Sequence, residues 1–238
     1  MSKRKRTWLI LVGVGAVLLI AASVVLFAVI LPKQKEQREW QQAVQEYRAA
    51  KMAKYEEENA RYADYEVEVA FLGDSLTDGY DLAKYYPQYV TVNRGIGGDT
   101  TFDLQARLQI SVYDLKPQVA VMLIGANNAD TMLDNYEDIL IGLRDNLPDT
   151  KVVLLSMTAM GGEHWGPKNP LACYNNVSIK ALAEKYGFTY VDLFTPLFDV
   201  ATGEVREGYT TDGGHFTHEG YEVVTAQITP VLEALLGK

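Results

Sequence analysis

The sequence predicts an α/β protein: a three-layer α/β/α sandwich around a parallel sheet of about five strands, preceded by a transmembrane helix and a helical stalk. Three observations predict it. An uncharged span of 24 residues stands near the start of the chain. From residue 66 onward short apolar runs alternate with helical stretches. Residue types able to do chemistry follow directly after those apolar runs. The 238 residues then divide into a basic cytoplasmic tail (1–7), a span (8–31), a stalk (32–65) and a folded domain (66–238).

The span runs from Trp8 to Leu31 without a charge. As a helix it is roughly 36 Å long, enough to cross a hydrocarbon core of about 30 Å with some tilt. A cleavable signal peptide has a shorter apolar core, about 7–15 residues, and small residues at its cut site. Here the run ends in Val29-Ile30-Leu31-Pro32, and no cysteine follows to take a lipid. An uncleaved signal-anchor is therefore expected. Lys3, Arg4, Lys5 and Arg6 precede it and favour a cytoplasmic N-terminus. Lys33, Lys35 and Arg38 dilute that bias, but long domains cross largely regardless of charge. The expectation is a single-pass protein of a bacterial plasma membrane, its bulk outside the cytoplasm.

Residues 33–65 are dominated by Gln, Glu, Lys, Arg and Ala, with no Gly and no Pro. These are strong helix formers. Trp40, Val44, Tyr47, Tyr55, Tyr62 and Tyr65 recur at mixed helical spacings. One long helix is predicted, packing its Tyr stripe on the domain behind it. A coiled-coil stalk is the alternative, disfavoured by the sparseness of its apolar heptads.

The strand candidates are Val67–Leu72, Tyr89–Val92, Val119–Ile124, Val152–Leu155 and Phe188–Leu193. Helical stretches are predicted over 101–115, 132–146, 173–186 and 218–236. Continuous apolar strands separated by helices imply a parallel sheet covered on both faces. In such sheets ligands meet the carboxyl ends of the strands.

Composition excludes several classes. Hydrophobic residues make up 48% and charged residues 22%, which is ordinary for a folded protein. Cys173 is the single cysteine, so neither an intrachain disulfide nor a Cys-rich zinc site can form. It is expected as a small buried residue near a helix start. The net charge of −9 argues against nucleic acid as a partner. That charge averages unlike parts: residues 1–38 hold seven Lys+Arg and one acid, +6, and residues 39–238 hold 15 against 30, −15. The mild mean hydropathy, −0.08, likewise averages an apolar span with a polar remainder.

Four segments follow the strands. The first is Gly73-Asp74-Ser75-Leu76-Thr77-Asp78-Gly79-Tyr80. A serine at a strand–turn–helix junction is exposed near a helix N-terminus, which suits a nucleophile; it could equally be a helix cap. The second, Asn93-Arg94-Gly95-Ile96-Gly97-Gly98-Asp99-Thr100-Thr101, lets the backbone approach a ligand closely. It lacks the Walker and dinucleotide-binding spacings, and a tight turn with Asp99 or Thr100 as a cap would read the same way. The third is Gly125-Ala126-Asn127-Asn128, whose amides can donate into a cleft or close a turn. The fourth, Thr211 to Tyr221, sets His215 three residues after Asp212, a spacing at which a carboxylate can reach the imidazole and fix its tautomer. His164 and His218 have no acid at that spacing.

Taken in order, these segments resemble the four blocks of the GDSL, or SGNH, hydrolase family of serine esterases and lipases, over about residues 67–236. The resemblance implies the flavodoxin-like fold of that family, with Ser75 as nucleophile, His215 as general base and Asp212 as third triad member. It also implies an oxyanion hole made by the backbone N–H of Ser75, the backbone N–H of Gly98 and the side-chain amide of Asn127. Gly98 is chosen over Gly97 because the family's glycine directly precedes the Asp-Thr pair. Two departures stand out: Asn128 replaces the family's Asp, and Phe216 and Thr217 follow the histidine where Pro and Asn are common. No metal and no organic cofactor are implied.

The substrate implied is an acyl ester on a glycan or a lipid, with O-acetyl groups on cell-surface glycans favoured by the anchor and the acidic domain. Lysophospholipase, lipase or thioesterase activity is the alternative within the family. An inactive anchored binding protein and an acyltransferase are the alternatives outside it. The segment Gly161–Pro170 reads as a loop bordering the cleft, so His164, Trp165 and Tyr174 are candidate pocket residues, although a packed surface loop explains them equally.

Overall fold

The computed structural model describes residues 2–6, 8, 11, 28 and 31–238. Apart from Trp8, Leu11, Ala28 and Leu31, the span expected over residues 8–31 lies outside the described residues. Among the described residues no helix is long and apolar enough to cross a membrane. The chain divides into two compact units, Met1–Lys51 and Met52–Lys238.

Helix α1, Leu31–Asn59, is built from the polar helix formers of the stalk. In the first unit its residues are almost all exposed, with a Lys35–Glu39 pair one turn apart at 3.6 Å. The helix ends at Asn59 rather than near residue 65. Residues 60–66 turn instead: Tyr65 adopts a left-handed φ of 64°, and its N–H donates to the Lys116 carbonyl at 2.9 Å. A left-handed residue cannot continue a right-handed helix.

In the second unit five strands form one parallel sheet in the order β2-β1-β3-β4-β5. They are β1 Val69–Gly73, β2 Thr91–Gly95, β3 Val119–Leu123, β4 Lys151–Leu155 and β5 Thr189–Val191. Gly73 is in register with both Gly95 and Leu123, so three carboxyl ends finish level. The order reverses beside β1, and that point is where such sheets open a crevice. The second strand lies two residues later than its apolar pattern suggested. Its Arg94 is fully buried, paired with Glu58 and donating to Asn59 Oδ1 at 3.0 Å. An ion pair made in the folded state thus hides a charge inside a strand. The Tyr55 hydroxyl donates to the Gly95 carbonyl at 2.6 Å, and the Arg94 guanidinium sits 4.6 Å from the centre of the Tyr55 ring.

The crossovers carry helices α2 Ser75–Asp78, α3 Thr101–Ala106, α4 Leu133–Asn146, α5 Asn169–Tyr186 and α6 His218–Leu236. The helix predicted over 101–115 is split: α3 stops before Arg107 and a π-helical turn, Gln109–Tyr113, follows. Helix α5 starts earlier than expected, with Pro170 in its first turn, where a missing N–H costs nothing. Cys173 therefore lies within the helix and is exposed, not buried as expected. A short antiparallel hairpin, β6 Phe198–Asp199 with β7 Glu204–Val205, has no counterpart in the sequence pattern.

Alternate strand residues face opposite layers. Leu72, Met122 and Leu154 pack with Leu140 of α4 and Ile179 of α5. Phe71, Val121 and Val153 pack with Val224, Ile228 and Leu232 of α6. Each such side chain contributes about 1.5–3 kcal/mol when fully buried. The two cores hold the sheet rigid and leave its carboxyl edge to carry the polar groups.

Candidate active site

Gly73 ends β1 in a tight corner: a Cβ there would stand 2.2 Å from both the Leu123 carbonyl oxygen and Thr77 Oγ1. Asp74 follows and caps α2, its Oδ1 accepting the Leu76 N–H at 3.1 Å. Ser75 is thereby presented at the first position of the helix. Its Oγ lies 3.0 Å from His215 Nε2. The histidine comes from the loop ahead of α6, 140 residues away in sequence.

His215 Nδ1 lies 2.8 Å from Asp212 Oδ2, while Asp212 Oδ1 accepts the backbone N–H groups of His215 at 2.8 Å and Gly214 at 3.0 Å. Partial burial pushes the Asp212 carboxyl upward, but those N–H donors and the imidazole outweigh it and hold the group well below the usual carboxylate range. The loop leaves no room for a side chain at Gly213. Gly213 has φ 89°, and a Cβ on it would sit 1.9 Å from the Gly161 carbonyl oxygen.

The segment after β2 separates its two glycines. The Gly97 N–H donates to Asp78 Oδ2 at 3.1 Å and is thus occupied. Gly98 has φ 81° and is exposed, and a Cβ on it would touch nothing within 4 Å, so the backbone conformation rather than space asks for glycine. Asn127, in the short 3-10 turn after β3, donates from Nδ2 to the Asp99 carbonyl at 2.9 Å and keeps a second N–H. Asn128, the departure from the family pattern, faces inward: its Oδ1 accepts the Thr101 N–H at 3.1 Å and its Nδ2 donates to Thr101 Oγ1 at 2.9 Å. It holds the start of α3.

Ser75, Asn127, Thr158, Met160, Trp165 and His215 line a small open cavity. The Trp165 ring meets the His215 ring edge-on with centres 5.8 Å apart. The segment read as a loop is helical over Gly162–Trp165 and continues as a 3-10 turn, Gly166–Lys168, which fixes that ring. His164 packs edge-on against Trp165 at 4.9 Å but is itself exposed and does not line the cavity. Tyr174 is 65% exposed on α5 and does not line it either. Asp74, which no sequence pattern marks as a site residue, borders the cavity while buried. Burial raises its carboxyl to about 7; the Leu76 N–H opposes the shift and nearby Asp99 adds to it.

A serine, an imidazole and a carboxylate bonded in series at the carboxyl edge of a parallel sheet define a hydrolase-type α/β protein. Residues 71–223 match the GDSL-like Lipase/Acylhydrolase family, and the chain belongs to that family; it is an ester-hydrolysing enzyme. Among solved structures, a GDSL-like lipase from Bacteroides thetaiotaomicron is similar at 25% identity with a TM-score of 0.68, covering 77% of this chain and 97% of that one. A chain from Streptococcus pneumonia, described as a platelet activating factor candidate, aligns at 24% identity with a TM-score of 0.75, covering 84% and 99%. An acetylxylan esterase from Geobacillus stearothermophilus aligns at 22% identity and a TM-score of 0.58, covering 71% and 95%. The last two likenesses are of fold. No curated protein sequence matches the chain.

Proposed function

We propose that the protein is a membrane-anchored serine esterase that removes short acyl groups, O-acetyl groups on cell-surface glycans above all. The observation that carries the catalytic part is the series Ser75 Oγ, His215 and Asp212, joined at 3.0 and 2.8 Å. His215 Nε2 takes the proton of Ser75 Oγ as that oxygen attacks the acyl carbonyl. Asp212 holds the imidazole in the Nδ1–H tautomer and stabilises the imidazolium that forms. The oxyanion of the tetrahedral intermediate accepts hydrogen bonds from the Ser75 and Gly98 N–H groups and the free N–H of Asn127. Each donor lowers the barrier by about 2.7–4 kcal/mol. His215 then passes its proton to the departing alcohol. Water repeats the cycle, freeing the acid and restoring Ser75. No cofactor enters.

Three features support a short acyl group and a glycan. The Trp165 ring closes one wall of the cavity, its centre 5.8 Å from that of the His215 ring. Residues 39–238 carry −15, so charge does not draw the domain to an anionic lipid surface. One structural neighbour of the same fold is an acetylxylan esterase. The anchor rests on the uncharged run from Trp8 to Leu31 and its basic flank. In this reading the enzyme sits in the plasma membrane with its domain outside.

Hydrolysis of nitrophenyl esters of increasing acyl length tests the substrate reading, with acetyl expected to be fastest. A maximum at long chains would favour a lipase. Membrane fractionation with protease accessibility from outside tests the anchor; recovery in the soluble fraction would remove it.

A further inference from the structure

One buried guanidinium joins the segments that bear the three oxyanion donors. Arg107, directly after α3, is 5% exposed. Its Nε donates to Asp99 Oδ2 at 2.7 Å, and its Nη2 donates to the Gly73 carbonyl at 2.9 Å. Its Nη1 reaches the Arg94 carbonyl at 2.9 Å and Ser111 Oγ at 2.8 Å. Gly73 closes β1 just ahead of Asp74 and Ser75, Arg94 lies at the end of β2, and Asp99 follows Gly98. The Asp99 carbonyl in turn accepts the Asn127 amide at 2.9 Å.

We infer that Arg107 is the positioning residue of the oxyanion hole; this rests on the esterase reading above. A guanidinium is costly to bury, and here all three of its nitrogens are bonded, two of them to backbone carbonyls at strand ends. Its plane is rigid, so the ends of β1 and β2 and the Asp99 carboxylate are referred to one frame. The Ser75 and Gly98 N–H groups are carried by the tied segments, and Asn127 is tied through Asp99. Arg107 does not line the cavity. Oxyanion donors must sit close to their productive positions, and a misplacement of about 1 Å can cost about 100-fold in rate. The oxyanion exists only in the transition state and intermediate, so a loosened hole lowers kcat and leaves KM in place.

The test uses the full chain with Arg107→Lys and Asp99→Asn. A lysine keeps the charge but cannot reproduce the planar fork, and an asparagine keeps the shape while removing the ion pair. Hydrolysis of nitrophenyl acetate is followed at a temperature well below unfolding, alongside the rate at which a fluorophosphonate labels Ser75. The expected result is a kcat about 100-fold lower in Arg107→Lys and about tenfold lower in Asp99→Asn, with KM held within about twofold and labelling slowed in parallel. If Arg107→Lys does not fold, the kcat and labelling rate of Asp99→Asn decide. A lower melting temperature with kcat and labelling unchanged would overturn the inference and reduce Arg107 to a packing role. An unmodified chain that neither hydrolyses the ester nor takes the label would instead sink the esterase reading, and this inference with it.

Discussion

Asp212 holds His215 at two points: Oδ2 lies 2.8 Å from ring Nδ1, and Oδ1 accepts the backbone N–H at 2.8 Å. One carboxylate thus orients both the loop and the imidazole, and leaves Nε2 facing Ser75 Oγ. An asparagine would still accept the backbone N–H yet could offer an amide N–H to the ring and favour the wrong tautomer. Asp212→Asn is therefore expected to keep its fold by circular dichroism and to lose roughly 10³–10⁴-fold in kcat. A loss smaller than about tenfold would mean that the carboxylate does not govern the base.

Asp74 gives a stability prediction with a definite sign. Its folded pKa of about 7 lies above the ordinary carboxylate value, with burial as the main cause and Asp99 and His215 the titratable groups facing it. Between about pH 4 and 7 the folded state then holds a proton that the unfolded state has released, so this group's contribution to stability falls as pH rises through that window. Asp74→Asn removes the titration and can still cap α2. The melting temperature of the variant relative to the unmodified chain is expected to become more favourable from pH 5 to pH 8. A difference that is flat or falling with pH would show that the carboxyl ionises freely.

Trp165 is expected to limit acyl length. Its ring walls the cavity and stands edge-on to His215. Trp165→Ala should raise kcat/KM for butyryl relative to acetyl esters by about tenfold, the order of the selectivity that one or two methylenes carry in an apolar pocket. Gly214→Ala attacks the same contact from the other side, because its Cβ would stand 2.6 Å from the indole. It should lower activity on every ester. An unchanged chain-length profile in Trp165→Ala would move the acyl site elsewhere.

The end of α1 is expected to stabilise the folded domain. Tyr55 is 1% exposed and its hydroxyl meets the Gly95 carbonyl at 2.6 Å. Tyr55→Phe should cost about 1–3 kcal/mol, since it removes a buried hydrogen bond and strands its acceptor. The melting temperature would fall by about 2–4 °C per kcal/mol for a unit of this size. No change would mean that the stalk helix merely abuts the domain.

Part of this was legible in the chain because strand ends carry chemistry in parallel sheets. Position after a strand marked Ser75, Asn127, Asp212 and His215 as candidates, while their roles came only from the family resemblance; α6 begins and ends where its pattern placed it. What escaped notice was decided by burial in the folded state. Arg94 reads as a loop residue until Glu58 and Asn59 neutralise it inside β2. Asp74 and Arg107 look like surface charges, and nothing local marks them as buried. The end of α1 was hidden as well, because residues 60–65 contain good helix formers and bonds to distant residues turn the chain there, from Tyr65 N–H to the Lys116 carbonyl and from the Lys116 ammonium to Asp64. Tyr174 and His164 lie near the cavity-wall residue Trp165 in sequence, yet helical geometry points neither into the cavity.

The most direct measurement is the reactivity of Ser75 itself. Full-length protein and Ser75→Ala are treated with a fluorophosphonate and assayed in parallel on nitrophenyl acetate. One label per chain is expected, located on Ser75 by peptide mass, with both labelling and turnover lost in the folded Ser75→Ala variant. Turnover that survives in Ser75→Ala, or a label on another residue, would contradict it.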